Sequence, residues 1–82
     1  MNININGTEY ELQKVPPRQW FRMRERTKNK NGLPIEEKLY SEILEHIVVS
    51  PKVTLDDFEE VEDIEELMKE AIEFQSKRKN EG

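Results

Sequence analysis

The sequence predicts a mainly α fold of the α+β kind: an N-terminal β-hairpin packed on a small bundle of three to four helices. Three observations lead there. Asn6-Gly7 separates two short stretches in which apolar and polar residues alternate, as in a hairpin closed by a two-residue turn. Apolar residues then recur with helical period from Ile35 to Val48. A second helical pattern, Ile64 to Ile72, follows an acidic stretch led by Thr54.

Taken in order, the hairpin spans residues 2–12. Ile3 and Ile5 alternate with asparagines, and Thr8, Tyr10 and Leu12 with glutamates. Asn and Gly tolerate the positive φ that a type I′ turn needs at both central positions. Two strands alone are marginal in water, so Ile3, Ile5, Tyr10 and Leu12 are expected to lie on the helices. Val15-Pro16-Pro17 ends the hairpin, and Pro17 opens a helix of about 17–27, since a first-turn residue does not need its N–H. Trp20 and Met23 share one face of it, with Phe21 further round. Arg18, Arg22 and Glu25 mark the polar face, with an ion pair at i, i+3 expected. Lys28 to Gly32 reads as a polar loop tip.

The clearest helix is expected over 34–49. Ile35, Leu39, Tyr40, Ile43, Leu44, Ile47 and Val48 form one continuous stripe. Glu36 and Glu37 complement the macrodipole in its first turn, and Ser50-Pro51 stops it. In the third segment, a single straight helix would put Leu55 and Phe58 on the opposite side from Ile64, Leu67, Met68, Ala71 and Ile72. A break at Glu60–Asp63 resolves this: a short turn at 55–60, capped by Thr54 with Asp57 three residues on, then a helix of 64–76 with Asp63 as N-cap. Residues 1–76 are thus one domain, and 77–82 a flexible tail.

Composition narrows the function. Eighty-two residues with 34% hydrophobic and 38% charged content give one small domain with a thin core, worth about 3–5 kcal/mol. With no cysteine and only His46, neither a disulfide framework nor a thiolate or multi-histidine metal site is available. No apolar run approaches the about 20 residues of a membrane span. The opening Met-Asn-Ile-Asn-Ile-Asn-Gly does not read as a signal peptide, so a soluble cytoplasmic protein is expected.

No catalytic constellation is expected either. His46 has no evident nucleophile or orienting partner and reads as a charge at a helix C-terminus. The carboxylates of Asp56 to Asp63 lack the alternation, central Gly and closing Glu of a calcium loop. The three glycines are isolated and form no phosphate loop. The expectation is therefore a protein without enzymatic activity, cofactor or metal.

The dominant global feature is charge segregation. Lys14 to Lys30 holds seven cations and one anion, a segment charge of +6, whereas Leu55 to Phe74 holds ten acids against Lys69 alone, a charge of −9. The chain as a whole is at −5. The candidate partner-binding residues are Arg18, Phe21, Arg22, Arg24 and Arg26 on the basic side. On the acidic side they are Asp56, Asp57, Glu59 and Glu60. The two patches can meet within the fold, between copies in self-association, or across to partners. Cations around Trp20 also suit a nucleic-acid surface. A small nucleic-acid-associated regulator using the basic first helix is therefore the alternative, disfavoured by the net negative charge and by Trp20 and Met23 being needed as core.

A family resemblance accompanies these features. The hairpin start "INGTEYEL" leads into the Trp-bearing "PPRQWFRM". Then comes "KLYSEILEHIVVSPKVTLDDFEEVEDIEELMKEAIEF", a helix ending in Val-Val-x-x-Pro, a Thr-capped acidic turn and a last helix. Together they resemble the small tail assembly chaperones of long-tailed (siphovirus-type) phages and prophages. The resemblance implies a non-enzymatic protein of the host cytoplasm that holds the tape measure protein in solution. It would recruit tail-tube subunits and leave before the tail is complete. It also implies a longer form made by translational frameshifting, and no residue-level site is carried over. Independently, incompletely buried apolar side chains and charged faces suit the binding of a long helical partner.

Overall fold

Asn6 and Gly7 both adopt positive φ, 50° and 89°, and the Gly7 N–H donates to Asn4 Oδ1 at 3.0 Å. This turn joins β1 (Asn2–Ile5) to β2 (Thr8–Leu12) in the antiparallel register Ile5↔Thr8, Ile3↔Tyr10. The computed structural model describes residues 1–77. Beyond the hairpin it contains α1 (Pro17–Arg26), α2 (Glu36–His46), β3 (Val48–Ser50), a 3-10 turn at Leu55–Asp57, and α3 (Val61–Ser76). The expected tail at 77–82 lies, apart from Lys77, outside the described residues.

The expected helical bundle is not what forms. The protein is built on a three-stranded antiparallel sheet, β1-β2-β3, with helices against one face. The sequence puts Val48 and Val49 in the last turn of the second helix, with Ser50 ending it. The segment Val48–Ser50 instead pairs with β2, through Leu12↔Val48 and Glu11↔Ser50 with a register irregularity between them. The physical reason is that the helix end is satisfied from outside. Gln13 donates its backbone N–H to Ile47 O at 2.8 Å and its side-chain amide to His46 O at 3.0 Å. Lys52 Nζ donates to Glu45 O at 2.8 Å and Val48 O at 3.1 Å. With the terminal carbonyls so occupied, the β-branched Val48-Val49 pair is free to cover the second edge of the hairpin. Val48 is fully buried in the strand, as the helical stripe would also require, so the apolar pattern could not separate the two states.

The register sorts the sheet into two faces. Ile3, Ile5, Tyr10, Leu12 and Val48 lie on the inner one, while Asn2, Asn4, Glu9 and Glu11 are exposed on the other. The helices contribute Met23 from α1, Ile43 and Leu44 from α2, and Leu67, Met68 and Ala71 from α3, all buried. Trp20 is half-buried at the edge of this core, as is Phe58, whose ring stacks on Tyr10 with centroids 6.3 Å apart.

Two further boundaries differ from expectation. α2 begins at Glu36, after Ile35 N–H donates to Thr27 O at 2.9 Å. The preceding loop is ordered by Asn29, whose Oδ1 accepts from the N–H groups of Asn31 and Leu33 at 2.8 and 3.0 Å. α3 begins at Val61 with Glu60 as N-cap, not at residue 64. Asp63 is thereby in the first turn, where its carboxylate accepts from Asn6 Nδ2 at 3.2 Å instead of capping the helix. The Thr54 start behaves as expected: the Asp57 carboxylate accepts from Thr54 N–H at 2.8 Å.

The C-terminal end of α3 is tied to the hairpin exit. The Gln75 side chain accepts from Val15 N–H and donates to Val15 O, both at 2.9 Å. Lys14 Nζ donates to Lys77 O and stands 5.4 Å from the Phe74 ring centroid, a cation–π distance.

Candidate functional site: a basic helix face and a separate acidic end

On α1, Met23 points into the core with no exposed surface, and the turn of the helix sends Phe21 to the other side, where it is 61% exposed. Arg18 and Arg22, both exposed, lie round the helix on one side of it. With Pro17 and Glu25 they line a shallow open depression of about 640 Å³. Of the five basic-side candidates, the structure therefore brings Arg18, Phe21 and Arg22 onto one outward face.

The other two arginines are placed differently. Arg26 turns toward α2 and hydrogen-bonds to the Glu42 carboxylate, while Arg24, also exposed, falls on the side of Phe21 away from Arg22. Glu25 pairs with Lys28 at 3.2 Å, not with Arg22 as the i, i+3 spacing had suggested.

The Arg26–Glu42 contact holds the Glu42 carboxyl below the ordinary carboxylate range. The hydrogen bond is the main cause, and the nearby Arg26 and His46 charges act in the same direction against the opposing effect of burial. His46, the last residue of α2, has Nε2 3.5 Å from Glu42 and 3.4 Å from Glu45. Protonated, it would be a favourable charge both for these carboxylates and for the helix end.

The acidic candidates Asp56, Asp57, Glu59 and Glu60 are all exposed around the 3-10 turn and the start of α3. Asp57 is engaged in capping Thr54. The structure adds Glu62 and Glu65 on α3 and, among them, Val61, which is 68% exposed. The sequence reading missed Val61 by placing it in a break. An apolar residue standing alone in an acidic run was the available signal. Nearby, burial and the Asp63 charge push the Tyr10 hydroxyl pKa up.

These two charged regions do not neutralise one another within the fold. None of the ion pairs among the described residues joins Lys14–Lys30 to Leu55–Phe74. The anchor between the two segments is at the far end of α3, where Gln75 meets Val15. From there to Val61 the helix runs about 21 Å at 1.5 Å per residue.

Among the described residues no group of three or more His, Asp or Glu side chains is arranged to hold a metal ion, and no helix is long and apolar enough to cross a membrane. Compared with known protein families, with curated proteins and with solved structures, the chain matches none of them.

Proposed function

We propose that this protein is a non-catalytic binding module acting as a tail assembly chaperone of a long-tailed phage or prophage, which holds the tape measure protein in solution and helps recruit tail-tube subunits. The observation that carries the binding reading is Phe21: a large aromatic side chain, 61% exposed, with Arg18 and Arg24 one turn away on either side of it, on the face of α1 turned away from the core. An exposed aromatic rimmed by arginines has the composition of a protein-interface centre, where Arg and aromatic residues carry most of the energy. The residue-word resemblance described above supplies the partner's identity. An amphipathic helix of a long partner would lay its apolar side over Phe21 and Pro17 and its acidic side toward Arg18 and Arg22.

The test is co-expression with a long-tailed phage tape measure protein, followed by pull-down and a solubility assay. Co-purification and a gain in soluble tape measure protein are expected. Neither appearing would count decisively against the reading. So would binding to duplex or single-stranded nucleic acid with a steep negative salt slope that Arg22→Ala and Arg24→Ala weaken.

A further inference from the structure

We infer that the cleft between the hairpin turn and the start of α3 receives the guanidinium of an arginine side chain from a partner protein, with Tyr10 and Asp63 as its hydrogen-bonding groups. The cleft has a volume of about 280 Å³, and four carboxylates line it: Asp57, Glu59, Glu60 and Asp63. None of its lining residues belongs to α1, so it is separate from the Phe21 face.

Carboxylates alone would read as a solvated face. Tyr10 sets this cluster apart. It is only 6% exposed, yet it lines the cleft. Its hydroxyl has no hydrogen-bond partner among the described residues and keeps access to the surface. A buried polar group without a partner is the exception in a folded protein. Burial and the charge of Asp63 push the Tyr10 pKa up, so the group is a neutral phenol beside a lining carboxylate, with lone pairs to accept an N–H. Phe58, whose ring stacks on Tyr10 at 14° from parallel, lines the same cleft and adds an aromatic surface for a planar cation.

The charge of the cleft selects a cation, and its shape selects which one. None of the four carboxylates takes part in an ion pair among the described residues. Asp57 is held by Thr54 and Asp63 by Asn6, which fixes two acceptors in place. Among the described residues no three acidic or His side chains converge on one point as a metal ion would require. A flat cation with spread donors therefore fits better than a compact one. Guanidinium is planar, carries five donors and no acceptor, and is more weakly hydrated than an ammonium. It can bond a phenol and a carboxylate at once. At about 280 Å³ the cleft is smaller than the roughly 300–1,000 Å³ of small-molecule sites, which suits one side chain.

The test is a proton–nitrogen correlation NMR titration of the full chain with a blocked Gly-Arg-Gly peptide at about 20 mM salt, where surface charges are little screened. Saturable shifts are expected at Thr8, Tyr10, Phe58 and Asp63, with a Kd on the order of 1–10 mM for so small a probe. Tyr10→Phe keeps the ring and should weaken binding about fivefold. Asp63→Asn should weaken it about tenfold or more. Asp56→Asn, exposed in the same acidic run but outside the cleft, should weaken it by no more than about twofold. A blocked Gly-Lys-Gly peptide should bind about threefold more weakly or worse, and circular dichroism checks that each variant keeps the fold. No saturation by about 50 mM, equal binding of the lysine peptide, or unchanged affinity in Tyr10→Phe would each overturn the inference. So would a loss at Asp56→Asn as large as at Asp63→Asn. The same amides responding to magnesium or to the chain's own concentration, but not to the peptide, would also overturn it. No tape measure protein enters this measurement, so its failure would leave the proposed function standing, and the failure of that function would leave this site standing.

Discussion

Replacing Gln75 with Ala removes the one side chain that satisfies both backbone groups of Val15. Val15 is only 7% exposed and sits between the end of β2 and Pro16, where neither the sheet nor α1 supplies it a partner. Gln75 does both tasks, at 2.9 Å each. Two neutral hydrogen bonds at about 0.5–1.5 kcal/mol net give about 1–3 kcal/mol. Because both bonds are only partly buried, water can reach the freed groups, and about 1–2 kcal/mol is the expected loss. That is a large share of the roughly 3–5 kcal/mol such a small core supplies. With an urea m-value of about 1 kcal/mol/M, the unfolding midpoint, read by Trp20 fluorescence, should drop by about 1–2 M. Gln75→Glu keeps the acceptor for Val15 N–H but aims a carboxylate oxygen at Val15 O, and should be no more stable than the alanine variant. The exposed neighbour Ser76→Ala should stay within about 0.5 kcal/mol of wild type. A Gln75→Ala midpoint within about 0.2 M of wild type, at unchanged m-value, would refute the anchoring argument.

Met23→Ala empties a fully buried position between α1 and the rest of the core and should cost about 2–5 kcal/mol, a large share or all of the roughly 3–5 kcal/mol available, read as a urea midpoint lowered by about 2 M or more or as loss of the folded circular dichroism signal. Gly7→Ala places a Cβ at φ 89°; there is space for it, so the loss is backbone strain of about 1 kcal/mol, read as a thermal midpoint shift. Glu42 titrates lower in the folded state than when unfolded, through its Arg26 hydrogen bond. Its contribution is therefore present above the ordinary carboxylate range and lost as pH falls through the lower folded value. Denaturation curves on either side of that range should show wild type losing more stability on acidification than Glu42→Gln.

The hairpin was legible because its signal is local: Asn6-Gly7 specifies the turn, and the period-2 pattern specifies the inner face. The third strand was not, because an apolar Val48 suits a buried helix position and a buried strand position alike, and Gln13 and Lys52 take the carbonyls at the end of α2. The start of α3 was misplaced for a similar reason. Asp63 looked like a cap, but its carboxylate is used by Asn6, 57 residues away in sequence. On the functional side, helical geometry separated Phe21 from Met23 correctly, while the diversion of Arg26 to Glu42 depends on how α1 packs on α2. Val61 became visible only once α3 was seen to begin there.

The central claim is that the outward face of α1 holds the tape measure protein in solution through Phe21. The most direct measurement is the amount of soluble tape measure protein recovered on co-expression with wild type and with a folded Phe21→Ser/Arg22→Gln variant. The account predicts that wild type keeps it soluble and that the variant recovers roughly tenfold less or lower, as expected when an interface centre is removed. Equal recovery with both, or no dependence on the chain at all, would contradict it.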